Sequence, residues 1–130
     1  MLSINSNVRI FACTAPTDMR KSFNGLSGIV VESLGGDPLS GHLFLFTNKR
    51  RTLLKILYWD ADGYAIWYKR LEEGTFAIEF VRAATEDSSS KERPSIELTT
   101  TQLAMLLGGV DLANTKKRKR FRLSSNDRAS

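Results

Sequence analysis

The 130-residue sequence is poor in the residues that most often build covalent, metal or redox sites. It contains one cysteine, Cys13, and one histidine, His42. A single cysteine excludes an internal disulfide and fits a reducing compartment, so we expect a cytoplasmic protein. Neither residue has a second ligand at metal-binding spacing, so we expect no metal and no cofactor. Cys13 is interpreted as a small buried residue and His42 as a strand-edge residue.

The sequence also lacks a long apolar run. No stretch reaches the roughly 18 residues that span a bilayer, and the first residues, MLSINSNVRIF, are too polar and short for a signal peptide. We therefore expect no membrane partner. The glycine-containing stretch GDPLSG lacks the lysine and the spacing of a phosphate-binding loop. No catalytic pattern is visible, so an enzyme is not expected.

Positive charge is present, and it is unevenly distributed. From Asn114 onward there are seven Lys or Arg residues and one acid, a net charge of +6, whereas the preceding residues carry twelve against thirteen, a net charge of −1. We expect the basic segment 113–130 to be a disordered tail that attracts polyanions such as nucleic acid, with strong salt dependence. The tail residues predicted to bind are Lys116, Lys117, Arg118, Lys119 and Arg120.

The spacing of apolar residues predicts one α+β domain over residues 1–112. Strands are predicted at 8–12, 42–46, 52–60, 64–71 and 75–81, and a long helix at about 18–34. A short helix is predicted after Thr99, where Thr99 and Gln102 have the spacing of a capping box. We expect an antiparallel β-meander of about four to five strands, packed by the one long helix. The polar residues 84–95 are interpreted as a flexible linker within the domain.

The stretch TDMRKSFNGL (17–26) reads as a helix start with Thr17 as the N-cap. Arg20 and Lys21 would then lie in or beside the first turn, where the helix dipole disfavours positive charge. If this end meets the other basic loops at one end of the sheet, the cations form an anion site for phosphate or for acidic side chains. The other predicted members are Lys49, Arg50, Arg51, Lys69 and Arg70.

The segment around the predicted hairpin is rich in aromatic residues. Trp59, Tyr64 and Trp67 are either cross-strand packing pairs or an exposed strip that contacts a partner. Asp60 and Asp62 form an Asp-x-Asp pair that favours a tight turn, with a divalent-metal site as the weaker alternative.

Three segments of the sequence together resemble a known family. TDMRKSFNGL, DPLSGHLFLFTNKRRTLLKILYWDADGYAIWYKRLEEGTF and TTTQLAMLLGGVDL are similar to the TnpB accessory proteins, encoded by the second reading frame of the IS66 family of bacterial insertion sequences. The resemblance covers residues 8–112. It implies a role in DNA transposition beside a separate transposase that holds the catalytic acids. Such relatives usually end soon after the G-x-D motif, so the basic tail is an extension.

We therefore expect a non-catalytic accessory protein that binds the transposase, the DNA of the element, or both. One alternative is a stand-alone nucleic-acid-binding protein. A second is a small metal-dependent nuclease using Asp60 and Asp62. A third is a protein adaptor with an aromatic interface. A homodimer through an exposed sheet edge is left open by the sequence.

Overall fold

A five-stranded sheet forms the centre of the computed structural model, which describes residues 5–78, 93–108, 110–111 and 116–117. The strand order across the sheet is β4-β3-β2-β1-β5. The strands are β1 (Ile10–Cys13), β2 (Leu43–Thr47), β3 (Leu53–Asp60), β4 (Gly63–Arg70) and β5 (Ser95–Leu98). The helices are α1 (Phe23–Glu32) and α2 (Thr100–Gly108), and a short ribbon pairs β6 (Val110–Asp111) with β7 (Lys116–Lys117). The predicted α+β class is confirmed.

The sheet is mixed: β2, β3 and β4 form an antiparallel meander of three strands, and the prediction that the meander extends to four or five strands is wrong. Strands β1 and β2 are parallel, while the β2–β3, β3–β4 and β1–β5 pairs are antiparallel. The physical reason is that α1 lies between β1 and β2 and returns the chain to the end where β1 began, which makes two neighbouring strands parallel. Strand β5 was not predicted, since its four residues follow directly on a polar stretch.

Both faces of the sheet are covered. One face, which we call the α1 face, packs against Leu26 and Val30 of α1. The opposite face packs against Leu103 and Leu106 of α2. All five residues of β2 are buried because this strand is central and covered on both sides. The sheet residues of the α1 face are Cys13, Phe44, Phe46 and Leu57, and those of the opposite face include Ile10, Ala12, Leu43, Leu45, Leu54 and Ile56.

Helix α1 is shorter than predicted. It begins at Phe23 rather than near Asp18, and its N-cap is Ser22, which makes no side-chain capping bond. At its other end the Gly36 N–H donates to the Val30 carbonyl at 2.9 Å, across a residue with positive φ, Gly35 at +68°. This is the pattern of a glycine-terminated helix. The predicted stop is confirmed and the predicted start is wrong.

The hairpin between β3 and β4 is confirmed, with Asp60 paired to Gly63. The positive φ of its turn falls on Ala61, at +58°, rather than on the glycine. Helix α2 begins with the predicted capping box. The Thr99 N–H donates to Gln102 Oε1 at 2.8 Å, and the Gln102 N–H donates to Thr99 Oγ1 at 3.0 Å.

The remaining predictions fall partly outside the described residues. The predicted strand at 75–81 is wrong for residues 75–78, which form no strand although Phe76 and Ile78 are buried; residues 79–81 lie outside the description. So do residues 84–92 of the predicted linker and residues 113–115 and 118–130 of the predicted tail, whereas residues 116–117, predicted to be disordered, form β7. Within the part of the chain that is described, no helix is long and apolar enough to cross a bilayer.

Two glycines of α1 provide a matched test of its packing. A Cβ at Gly25 would lie 3.0 Å from Lys21 Cβ, whereas a Cβ at Gly28 would meet nothing within 4 Å. We expect Gly28→Ala to raise the free energy of unfolding by about 0.5–1 kcal/mol, because alanine is the better helix former. Gly25→Ala should gain less than this or lose stability. Urea denaturation measures both, and equal gains would contradict the close approach of Lys21 to the helix.

Candidate partner-binding site at the basic end of the sheet

The predicted basic segments lie at one end of the sheet. The register pairs Thr47 with Leu54 and Leu53 with Arg70, which places the end of β2, the start of β3 and the end of β4 together. The Thr17 N–H donates to the Thr47 carbonyl at 2.8 Å and brings residues 17–21 to the same end. We call this surface the basic end, formed by Arg20, Lys21, Lys49, Arg50, Arg51, Lys69 and Arg70.

A buried lysine on β3 fixes the segment that carries Arg20 and Lys21. Lys55 is 8% exposed and lies on the α1 face, paired in register with Phe46 and Tyr68. Its ammonium donates to the carbonyls of Met19 and Lys21, both at 2.8 Å, and lies 4.8 Å from the centroid of the Tyr68 ring. The charge is therefore compensated by two carbonyl dipoles and an aromatic face.

This contact explains why residues 18–22 are not helical. In a helix the carbonyls of Met19 and Lys21 would accept hydrogen bonds from the N–H groups four residues later. Here Lys55 takes both carbonyls instead. Arg20 and Lys21 thus precede the helix, and the predicted dipole penalty on them is wrong. Replacing them with acidic residues would therefore give no stabilisation through the helix dipole.

The TDMRK segment is further shaped by Asp18. Its Oδ1 accepts the Arg20 N–H at 2.9 Å, and its carbonyl accepts the Lys21 N–H at 3.1 Å, which is a local turn. The Arg20 guanidinium also donates to both carboxylate oxygens of Asp18, the shortest contact being 2.7 Å. These hydrogen bonds, with smaller charge effects of Arg20 and Lys21, lower the pKa of Asp18 to about 2.

The loop between β2 and β3 is held by its own side chains. Asn48 Oδ1 accepts the N–H groups of Thr52 and Leu53, both at 2.9 Å. Arg51 has a positive φ of 61°, and its guanidinium donates to Thr47 Oγ1 and, at 3.3 Å, to the Thr14 carbonyl. Arg51 therefore braces the loop, while the adjacent Lys49 and Arg50 are exposed at its tip.

The cations of the basic end differ in how far they are neutralised. Arg20 is paired with Asp18, and Arg70 with Glu72 at 3.0 Å. Lys69 is also engaged in an interaction and is not counted among the free cations. Over the described residues, the side chains of Lys21, Lys49 and Arg50 have no acidic partner within salt-bridge distance. These three exposed cations are the strongest candidates for binding an anion.

The predicted interface aromatics are divided between the two faces. Trp59 and Tyr64 are cross-strand partners, with ring centroids 5.2 Å apart and planes at 88°. Trp67 lies on the opposite face of the sheet and packs against the hydrophobic cluster that includes Leu103 and Leu106 of α2. All three are partly exposed. The cross-strand packing interpretation fits Trp59 and Tyr64, and the three rings do not form one continuous strip.

The Asp-x-Asp pair lies at the other end of the sheet. Asp60 ends β3, and Asp62 lies in the exposed turn that follows. In the described ranges no group of three His, Cys, Asp or Glu residues could hold a metal ion. The geometry there is that of a tight turn, and it offers no support for a metal-dependent nuclease.

The other residues singled out from the sequence have local roles or lie outside the description. Cys13 is buried, as expected. His42 Nδ1 accepts the Arg9 N–H at 2.9 Å, just before β2. Lys116 and Lys117 form β7, whereas residues 118–120 lie outside the described residues.

Two charged residues that the sequence did not single out prove important to the architecture. Lys55 was missed, although a lone lysine inside the apolar run LLKILYW was the available signal. Arg9 was also missed. It forms a bidentate pair with Glu97 at 2.7 and 2.9 Å, which joins the entrance of β1 to β5 and lowers the pKa of Glu97 mainly through these hydrogen bonds. No sequence signal links residues so distant along the chain.

Comparison with known proteins gives one family match and two similar proteins from one organism. The family described as "IS66 Orf2 like protein" matches residues 8–117. The uncharacterized protein y4hO of Sinorhizobium fredii is 36% identical over 111 residues, which cover 85% of this chain and 88% of that protein. The uncharacterized protein y4jC of the same organism is 29% identical over 118 residues, which cover 91% and 92%. No solved structure matches.

The role of Lys55 can be tested by removing its charge. We expect Lys55→Met to lower the free energy of unfolding by about 2–3 kcal/mol, because two carbonyls lose their donor in a poorly hydrated place. Lys49→Met removes the same charge from an exposed site and should change stability by less than about 0.5 kcal/mol. Urea denaturation measures both. Similar values for the two variants would show that Lys55 does not anchor the segment.

The pairing of Asp18 predicts a specific acid dependence. A folded-state pKa of about 2 lies below the ordinary 3.8, so the ionised carboxylate stabilises the fold above about pH 4. That contribution is lost as the pH falls towards 2. Carboxyl NMR titration should give a midpoint near 2 for Asp18, moving towards the ordinary value in Arg20→Gln and staying low in Arg50→Gln. An ordinary midpoint in the unsubstituted protein would contradict the pair.

Proposed function

This chain belongs to the IS66 Orf2-like family, and from that membership and the geometry of the basic end we propose that it is a non-catalytic accessory protein in transposition. In this proposal, the basic end contacts the phosphate backbone of the element's DNA. The observation that carries it is the convergence of three separate basic segments at one end of the sheet, where Lys21, Lys49 and Arg50 remain exposed.

The arrangement suits phosphate contact rather than base reading. Lysine and arginine side chains on loops and turns position a protein on the DNA backbone, and they carry no sequence information by themselves. Arg20 adds a guanidinium whose side chain is 91% exposed, although it is paired with Asp18. A phosphate could exchange with that carboxylate as the partner of Arg20. Specificity for the element's ends would then come from the transposase that the accessory protein accompanies.

A rigid scaffold supports this role. The segment with Lys21 is tied to Lys55 of β3, and the loop with Lys49 and Arg50 is braced by Asn48 and Arg51. The cations therefore start from fixed backbone positions, which lowers the ordering cost of binding. The tail residues Lys116–Arg120 would add sequence-independent attraction to the same partner.

A second candidate function is favoured by a different observation. The Trp59–Tyr64 pair is partly exposed near the hairpin tip, far from the basic end along the strands. Aromatic anchors of this kind are enriched in protein interfaces. A protein adaptor would capture the transposase there, and Trp59→Ala would abolish capture without changing DNA affinity.

The DNA proposal predicts a charge effect that depends on location. Lys49→Gln combined with Arg50→Gln should weaken binding to a labelled duplex at least about tenfold, and should reduce the salt slope of log K by up to about 2, since two phosphate contacts are lost. Fluorescence anisotropy over a salt series of the full chain measures this.

The matched control removes the same charge from the tail through Arg118→Gln combined with Lys119→Gln. A larger loss in the loop variant supports DNA contact by the folded domain. If only the tail variant loses affinity, the basic end does not bind DNA. If the unsubstituted chain does not bind the duplex, the direct partner is a protein.

A further inference from the structure

Strand β4 is the longer of the two edge strands in the described five-stranded sheet. Strand β4 has eight residues and lies at one end of the strand order, so among the described strands it pairs with β3 alone. None of its eight residues is buried, although the strand contains Tyr64, Ile66, Trp67 and Tyr68. An apolar strand with an open row of N–H and C=O groups is a template for pairing with another strand.

The usual protections of a sheet edge are few along β4. Its register with β3 is continuous from Arg70 to Gly63, so no bulge interrupts it, and it contains no proline. Charged residues occur only at its final two positions, Lys69 and Arg70. The opposite edge strand, β5, is only four residues long, which itself limits pairing.

We propose that β4 pairs antiparallel with β4 of a second copy of this chain, about a two-fold axis at Ile66. The occupant is argued from the strand's own self-complementarity. With Ile66 opposite itself, Tyr64 lies opposite the second copy's Tyr68. Asp62 lies beside the second copy's Arg70, whose guanidinium is also paired with Glu72 of its own chain. Because the axis repeats every contact, two aromatic pairs and two opposite-charge pairs form on the α1 face.

The other face fits the same register. Trp67 lies opposite the second copy's Ala65, a large side chain against a small one, and Lys69 lies opposite Gly63. Centring the axis on Trp67 instead would place two tryptophans against each other and would set Arg70 against Tyr64, with no acidic residue opposite. The only β4 register that pairs Asp62 with Arg70 is the one centred on Ile66.

This pairing joins the two five-stranded sheets into a single sheet of ten strands. It is an inference beyond the proposed function. Arg70 marks the basic end of β4 and Gly63 the hairpin end. An antiparallel pair therefore directs the two basic ends in opposite directions. A dimer of this kind could hold two anionic segments at once, one at each end.

The first test is a charge exchange in the full chain, followed by sedimentation equilibrium from about 5 to about 500 µM so that mass action reveals weak association. Asp62→Arg alone and Arg70→Asp alone each set like charges together twice and should raise the dimer dissociation constant at least about fivefold. The double variant should restore it. Lys49→Asp, an exposed reversal away from β4, should have no effect.

Both target side chains are exposed, so folding of these variants is expected and is checked by circular dichroism. A monomer at every concentration overturns the proposal. A dimer that both single variants leave unchanged also overturns it, since the contact then lies on another surface. Neither result bears on DNA binding by the basic end.

The second test fixes the register. Under mild oxidation, Ile66→Cys should give a disulfide-linked dimer, because residues opposite each other across an antiparallel pair are about 4.5–5.5 Å apart at Cα. Tyr64→Cys is the matched control, since its copies would lie four residues apart along the strands. Cross-linking by Tyr64→Cys, or by neither variant, contradicts the Ile66 axis.

Discussion

The hydrogen bonds from the Lys55 ammonium group to two backbone carbonyls hold the segment of the basic end that carries Arg20 and Lys21. A lysine that is 8% exposed needs partners, and here the carbonyls of Met19 and Lys21 supply them at 2.8 Å. The two carbonyls are thereby withdrawn from helix formation, so the chain makes a turn before α1 begins. As a result Arg20 and Lys21 precede the helix, at the end of the sheet that also carries the β2–β3 loop. A single buried charge thus sets both the helix start and the surface that the cations share.

The two ends of the sheet have different chemistry. One end carries lysine and arginine from three segments. Its loops are held by hydrogen bonds that Asn48 accepts and that Arg51 and Lys55 donate. The other end carries the tight turn at Asp60–Gly63 and the Trp59–Tyr64 pair. Strand β4 connects these ends along the edge of the sheet. In the proposed function, this arrangement would separate contact with an anionic partner from contact with protein.

Sequence alone predicted the locally determined features. Strands β2, β3 and β4 follow from apolar runs and a turn, and the Thr99–Gln102 capping box needs only residues three apart. The start of α1 could not be read locally, because a residue on β3 competes for its carbonyls. The parallel β1–β2 pair could have been inferred from the intervening helix. For the site, the cationic residues were identified, but their neutralisation by Asp18 and Glu72 depends on the folded geometry.

We propose that the basic end, organised around Lys55, is the surface that meets an anionic partner. Amide chemical-shift mapping on the full chain with a short DNA duplex tests this proposal. We expect the largest changes in residues 17–22, 48–52 and 69–71, while Asp60–Gly63 at the opposite end stays unchanged. Changes confined to the hairpin or to residues beyond 113, with the basic end unaffected, would contradict it.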